Sequence, residues 1–280
     1  MIELSANEFW QAEDLFRNVA KVHLFATAVL NHDLPGRIYV DKVDNPRSGF
    51  MSTKELQFLA GYPDNQSFNQ ALKQLFQETI FIGDAPEVTL KEIDLTFIGN
   101  HWQHQLQFLF GDWRWPPIPN RARHFRLVSH QLNWREWVPD GYAILPLDKH
   151  IISRYPANRI QFNVKQFDDF GIGDFGFCVT WNGRIVCMCS SDVISQNACE
   201  IGIETHPDHR RHGLATATTA ATVEYALSLG FKEIWWICAA DNAGSIGTAV
   251  KNGFIEQFQS DSYFFILDEA EHRRQTNEHT

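Results

Sequence analysis

Asn182-Gly183 stands between two runs of alternating apolar residues, FGFCVTW and RIVCMCSS. An Asn-Gly pair at such a junction supplies the left-handed backbone that a two-residue antiparallel hairpin demands, so this region must fold as paired strands. A second turn at Ser195-Gln196-Asn197 leads into a further strand, CEIGIETH (199–206), which Pro207 ends. The period then changes. LATATTAATVEYALSLG reads as a helix closed by Gly230, KEIWWICAA (232–240) as a strand, SIGTAVKN as a short helix closed by Gly253, and FIEQFQ with SYFFIL as a last hairpin. Antiparallel strands followed by helix, strand, helix and strand define an α/β fold (α+β mixed sheet).

The first half is also mixed α/β. Residues 7–31 place Phe9, Leu15, Phe16, Val19, Val22 and Leu24 near helical spacing, which predicts an amphipathic helix stopped at Pro35-Gly36. RIYV (37–40) and SGFMS (48–52) read as short strands, SFNQALKQLFQETIF (67–81) as a helix, and 88–98 and 123–132 as strands on either side of HWQHQLQFLF and the loop GDWRWPPIPN. Pro, Trp and charge cluster in NWREWVPDG (133–141), where both flanking patterns stop, giving expected domains of 1–135 and 136–280. YAILPL (142–147) is a strand, and 148–170 holds one or two helices.

Composition narrows the function. A formal net charge of −10 argues against nucleic-acid or anionic-membrane partners, which need a positive field. No apolar run approaches the roughly 20 residues of a spanning helix, and the N-terminal MIELSANEFWQAEDLF carries acids where a signal peptide needs basic residues, so the expected location is cytoplasmic. Five cysteines, none in a CxxC pair, give no disulfide or zinc framework.

Against this acidic background, HPDHRRHGLA (206–215) concentrates positive charge where a helix is about to begin. A helix N-terminus presents unpaired N–H groups and the positive end of the macrodipole, and a glycine there admits close approach by a polyanion. The histidines at 206, 209 and 212 make a poor metal set, because Arg210 and Arg211 repel a cation; no metal is expected. Gly244-Ser-Ile-Gly247 has the form of a GXXG nucleic-acid loop but lacks basic surroundings.

Arg210-x-x-Gly213-x-Ala215, between the strand EIGIETHP and a helix, resembles the acyl-CoA pyrophosphate loop of the GNAT acetyltransferases. DNAGSIGTAVKNGF (241–254) resembles the second signature of that superfamily, Asn-x-x-Ser/Ala followed by Lys-x-Gly-Phe, and order and spacing agree over 141–267. More narrowly, EIGIETHPDHRRHGLA with IWWICAADN is similar to a bacterial GNAT family with an extra N-terminal half, which can itself be a degenerate GNAT-like repeat lacking the CoA loop; YVDKVDNPRSGFMS fits there.

The resemblance implies an N-acetyltransferase that passes an acetyl group from acetyl-CoA to a primary amine, a small molecule or peptide, by direct attack in a ternary complex. It implies that strands 199–206 and 232–240 splay to admit the pantetheine arm, with the diphosphate on the main chain of Arg210, Arg211, His212, Gly213, Leu214, Ala215 and Thr216. Backbone N–H groups of Ile203, Glu204 and Thr205 would polarise the thioester, and Asn242 and Ser245 would meet the arm. Glu200 and Glu204, four apart, share a strand face; either is a candidate base, with Glu200 preferred unless a bulge changes the facing. Many GNAT enzymes carry a tyrosine acid two residues before the signature lysine, where this chain has Ala249; Cys238, Tyr263, water or no group takes that role. That departure leaves a second reading open, a non-catalytic acyl-CoA-binding or sensing module. Neither the acceptor nor the oligomeric state is written in the sequence.

Overall fold

The computed structural model describes residues 1–80, 92–99, 101–148, 150–151, 174–266 and 273. The helices expected over 148–170 lie almost wholly outside the described residues, as does most of the polar tail. In chain order the elements are β1 (Ile2–Glu3), α1 (Glu13–Ala20), α2 (Leu24–Leu30), β2 (Arg37–Val40), β3 (Ser48–Ser52), β4 (Leu56–Gly61), α3 (Gln66–Leu75), β5 (Glu92–Phe97), α4 (Leu106–Phe110) and β6 (Ile118–Leu127). They continue with β7 (Tyr142–Pro146), β8 (Gly176–Trp181), β9 (Arg184–Ser195), β10 (Ala198–Thr205), α5 (Leu214–Ser228), β11 (Glu233–Ala239), α6 (Ala243–Lys251) and β12 (Phe254–Ile266).

The chain divides into two compact units, Met1–Ala122 with Gln259–Thr280, and Arg123–Phe258. The expected division at 135/136 therefore differs from the observed one, and the cause lies in two strands. β6 begins at Ile118, inside the stretch read as the loop GDWRWPPIPN, and ends at Leu127 rather than 132. β12 is one continuous strand instead of the hairpin FIEQFQ/SYFFIL. Ser260 and Ser262 are not turn residues: both are buried, Ser262 Oγ accepts from Asn120 Nδ2 at 3.2 Å, and Arg121 Nε donates to Asp261 at 2.9 Å. Each unit thus takes part of β6 and part of β12.

In the first unit the strands run β1-β2-β3-β4-β5-β12, antiparallel except for the parallel pair β4 and β5. Phe50, Leu59, Phe68, Leu72, Leu95 and Phe110 form the centre of its core. The long amphipathic helix expected over 7–31 is broken: a 3-10 turn at Ala6–Ala12 precedes α1, and extended backbone at His23 separates α1 from α2. Where β4 meets α3 there is no glycine-rich basic loop. Asn65 caps α3 by accepting from Phe68 N, and the Asp41 carboxylate accepts from Arg47 N, Ser48 N and Asn65 Nδ2.

In the second unit the order is β12-β6-β11-β10-β9-β8-β7. Asn182 (φ 46°) and Gly183 (φ 73°) close the β8–β9 hairpin, and Gln196 (φ 52°) turns β9 into β10, as the sequence predicts. α5 is buried nearly all round, and within it Thr218 and Thr222 donate to the carbonyls of Leu214 and Thr218. Phe125, Cys199, Ile201, Val223, Trp236 and Phe254 pack into one core beneath α5 and α6. Gly253 ends α6 with φ 85°, and its position has a second cause: a Cβ there would lie 1.9 Å from Ser129 O. Among the described residues no helix is long and apolar enough to cross a membrane.

Candidate active site

β10 and β11 pair in parallel only over Ala198↔Glu233, Cys199↔Ile234 and Glu200↔Trp235. Both strands continue, β10 to Thr205 and β11 to Ala239, so the ladder opens into a fork just past Glu200. One face of β10 belongs to the core: Cys199 and Ile201 are buried in it, Ile203 packs against it, and the Thr205 hydroxyl meets Cys187 Sγ at 3.1 Å. Glu200 and Glu204 are on the other face, Glu200 only 6% exposed and Glu204 half-buried. A bulge is present, but it resides in β9, where Asp192 is the extra residue opposite Glu200 and Ile201. The alternation of β10 is therefore kept. Gly202 accommodates the bulge, since a Cβ there would fall 2.3 Å from an Asp192 carboxylate oxygen.

From the end of β10 the chain turns through Pro207–His209 into the N-terminus of α5. Arg211 (φ 68°) and Gly213 (φ 77°) are both left-handed, and left-handed residues within a turn aim neighbouring N–H groups to one side, forming an anion-binding concavity. For arginine this conformation costs roughly 1–2 kcal/mol. Gly213 is the residue before the helix and brings no side chain to the first-turn amides. Leu214 and Thr216 turn their side chains inward, so with half-buried Ala215 the helix start offers chiefly main chain.

Arg210 Nε donates to Thr205 O at 3.1 Å and ties the loop to the end of β10. His212 Nδ1 contacts His209 O at 3.2 Å. His209 meets the Tyr142 hydroxyl at 3.0 Å and lies 5.0 Å from the Trp181 ring; burial first, then His206, lowers its pKa. His209 thus adds little positive charge near neutrality, and Arg210 and Arg211 carry the field.

At the start of α6, Asn242 Oδ1 accepts from Ser245 N at 3.0 Å, and Ser245 Oγ accepts from Trp236 Nε1 at 3.1 Å. Both side chains already stabilise the helix start, while Asn242 stays exposed to solvent. Ala249 is fully buried with Trp236, Val223 and Phe254, so no hydroxyl stands at that position. Of the alternative acids, Tyr263 belongs to the first unit, stacked on Phe97, and Cys238 is half-buried with a pKa raised by burial. Burial also pushes the Cys187 thiol up to about 11 and those of Cys178, Cys189 and Cys199 to about 12. Burial thus disfavours the thiolate, the nucleophilic form, at all five.

One neighbour of Glu200 has no counterpart in the sequence reading. Arg126 of β6 places its guanidinium 3.1 Å from the centroid of Trp235, the strand partner of Glu200. Burial lowers the Arg126 pKa to about 10, opposed by the charges of Glu200 and Glu233, so it stays cationic at neutral pH. No local motif marks Arg126; only the placement of β6 beside β11 brings it here.

A sequence model of the GNAT acetyltransferase family matches residues 13–263. The chain belongs to this family. The uncharacterized N-acetyltransferase YdfB of Bacillus subtilis (strain 168) is 25% identical over 239 residues, covering 82% of this chain and 85% of the relative. Two solved structures share the fold. The GCN5-related N-acetyltransferase-like protein from Streptococcus suis 89/1591 has a TM-score of 0.62 at 19% identity, covering 92% of this chain and 98% of the other. A tandem GNAT protein from the clavulanic acid biosynthesis pathway has a TM-score of 0.60 at 12% identity, covering 95% and 98%.

This GNAT protein is accordingly an acyltransferase built on a mixed α/β sheet, and the family match extends through both halves of the chain rather than the second alone. Within its described residues, no three His, Cys, Asp or Glu side chains are grouped to hold a metal ion.

Proposed function

We propose that this GNAT protein transfers an acetyl group from acetyl-CoA to a primary amine by direct attack in a ternary complex. The observation that carries this reading is the conjunction of the Arg211–Gly213 concavity at the head of α5 with the fork that opens past Glu200. A diphosphate suits the first, because main-chain N–H groups, the helix dipole and two arginines act together on one polyanion. An extended, amide-containing arm suits the second, because an opened strand edge offers β-type hydrogen bonds.

The thioester of acetyl-CoA supplies the activated acyl group. The main chain of Arg211 to Thr216 would hold the diphosphate, that of Ile203, Glu204 and Thr205 would face the thioester carbonyl, and Asn242 would reach the arm. A primary amine is protonated near neutrality, so attack needs a proton acceptor on the amine side of the fork. Glu200 and Glu204 share that face of β10; we assign the role to Glu200, which stands where the fork opens, with Glu204 behind it nearer the loop. With Ala249 in the core, the departing thiolate takes its proton from water, which a thiol's moderate basicity permits.

In the first unit, β4 and β5 remain paired from Leu56↔Asp94 through Leu59↔Phe97, and carboxylates occupy the turn before α3. This supports a half without a CoA site of its own, consistent with a degenerate repeat. Five free cysteines support an assignment to the reducing cytoplasm.

Thiol release from acetyl-CoA with a panel of primary amines, alongside calorimetric titration of acetyl-CoA, tests the reading. Binding with amine-dependent thiol release is expected. Binding without turnover across a broad panel would favour the second reading, an acyl-CoA sensor, which the buried Ala249 motivates; no binding at all would sink both.

A further inference from the structure

Glu200 is an unusual candidate for a proton acceptor because it is 94% removed from solvent on the strand face where it must work. Burial favours the neutral acid, and a protonated carboxyl cannot accept a proton from an ammonium group. A fixed cation nearby offsets this. Arg126 is that cation: it lies on the ring of Trp235, directly across the ladder from Glu200, at the last paired position before the strands part.

We propose that Arg126, seated over the Trp235 ring, is a positioning residue for acyl transfer that holds the Glu200 carboxylate oriented and in its proton-accepting form at the opening of the fork. This rests on the function proposed above and adds to it a residue from a strand that precedes the second unit's own hairpins. The stacking matters as much as the charge. A guanidinium against an indole face is confined to one plane and attracted to the ring, so its N–H groups keep a fixed direction. Trp235 is itself anchored, its Nε1 donating to Glu233 at 3.2 Å.

The strands around Glu200 carry further ionisable groups. Glu233 of β11 bonds Trp235, Asp192 of β9 lies against Gly202, Glu204 is two alternations along β10, and Cys199 faces the opposite side with its thiol pushed up to about 12. Glu256 is engaged by Arg123, whose Nε donates to it at 2.7 Å. Each of these carboxylates opposes ionisation of Glu200, and the charge of Arg126, which is coupled to it, favours ionisation.

The test follows the Glu200 carboxyl directly by carbon-13 NMR on protein labelled at glutamate side-chain carboxyls, its resonance assigned by its loss in Glu200→Gln. In Arg126→Gln the Glu200 midpoint should rise by one pH unit or more, and in Arg126→Lys, which keeps the charge without the guanidinium, by less. Trp235→Phe, which retains a ring under the guanidinium, should stay close to wild type. If Arg126→Gln does not fold, the order wild type, Trp235→Phe, then Arg126→Lys in rising midpoint carries the same test. Folded Arg126 variants whose Glu200 midpoint stays within about 0.3 units of wild type would overturn the inference. Calorimetric titration of acetyl-CoA on the same variants separates the two readings: affinity should be unchanged by Arg126→Gln, whereas absence of binding in wild type would defeat the proposed function and leave the Arg126–Glu200 coupling as measured.

Discussion

Glu200 and Trp235 are the last partners in the ladder between β10 and β11, and beyond them the two strands part. Parallel strands in a sheet normally exchange hydrogen bonds along their shared length, so a ladder that ends while both strands continue leaves an edge inside the sheet. The groups gathered at that point, a buried carboxylate on one strand and an indole carrying a guanidinium on the other, give the opening a chemical character as well as a shape.

Gly213→Asp is expected to weaken acetyl-CoA binding severely, because a non-glycine residue at φ 77° costs roughly 1–2 kcal/mol and the new carboxylate repels a diphosphate. Arg210→Ala is expected to cost less, since its Nε serves Thr205 O. Calorimetric affinities unchanged in both variants would refute the phosphate cradle.

Replacing each glutamate separately tests the division of labour on β10. Glu200→Gln is expected to lower amine-dependent thiol release by about 10²-fold or more, the scale of general-base catalysis, with acetyl-CoA affinity preserved. Glu204→Gln is expected to lose less. The reverse order in steady-state rates would transfer the base to Glu204.

Gly253→Ala is expected to destabilise the fold by more than the roughly 1–2 kcal/mol of left-handed strain alone, since its Cβ would lie 1.9 Å from Ser129 O. Urea denaturation measures it. A midpoint equal to wild type would contradict the close approach between the end of α6 and the chain following β6.

Ala249→Tyr is expected to fail as a restoration of a tyrosine acid. The site is fully buried among Trp236, Val223 and Phe254, so the ring overpacks the core at a cost of about 1–3 kcal/mol. Faster turnover with undiminished stability would show that the position faces the fork instead.

The thiols give a pH prediction. Burial disfavours the thiolate, so groups raised to about 11–12 are ionised to about one part in 10⁴ or less at pH 7. Alkylation of native protein by iodoacetamide should be negligible near neutrality at Cys178, Cys187, Cys189 and Cys199, and should rise only as pH approaches 11; rapid labelling at pH 7, read by mass spectrometry, would contradict their burial.

What could be read in advance was local. Asn182-Gly183 needs positive φ at both positions and has it, and Gly213, the residue before α5, likewise adopts the left-handed backbone that glycine tolerates. Glu200 and Glu204 share a face because strand alternation has period two, and the bulge that could have altered this fell in β9 instead. Arg126 was illegible for the opposite reason. Its partner Trp235 is more than a hundred residues away, and nothing in RARHFRL states which strand will lie beside it. The same holds for β12, whose Ser260-Asp261-Ser262 has turn composition but is held straight by Asn120 and Arg121.

The sharing of β6 and β12 bears on how such a gene could be divided. A fragment starting at residue 136 would contain both glutamates and the whole basic loop yet lack the segment bearing Arg126, and one stopping at 135 would lack the strand that pairs with β5. Neither cut keeps every segment of one unit together, because each unit draws on chain from both sides of that point.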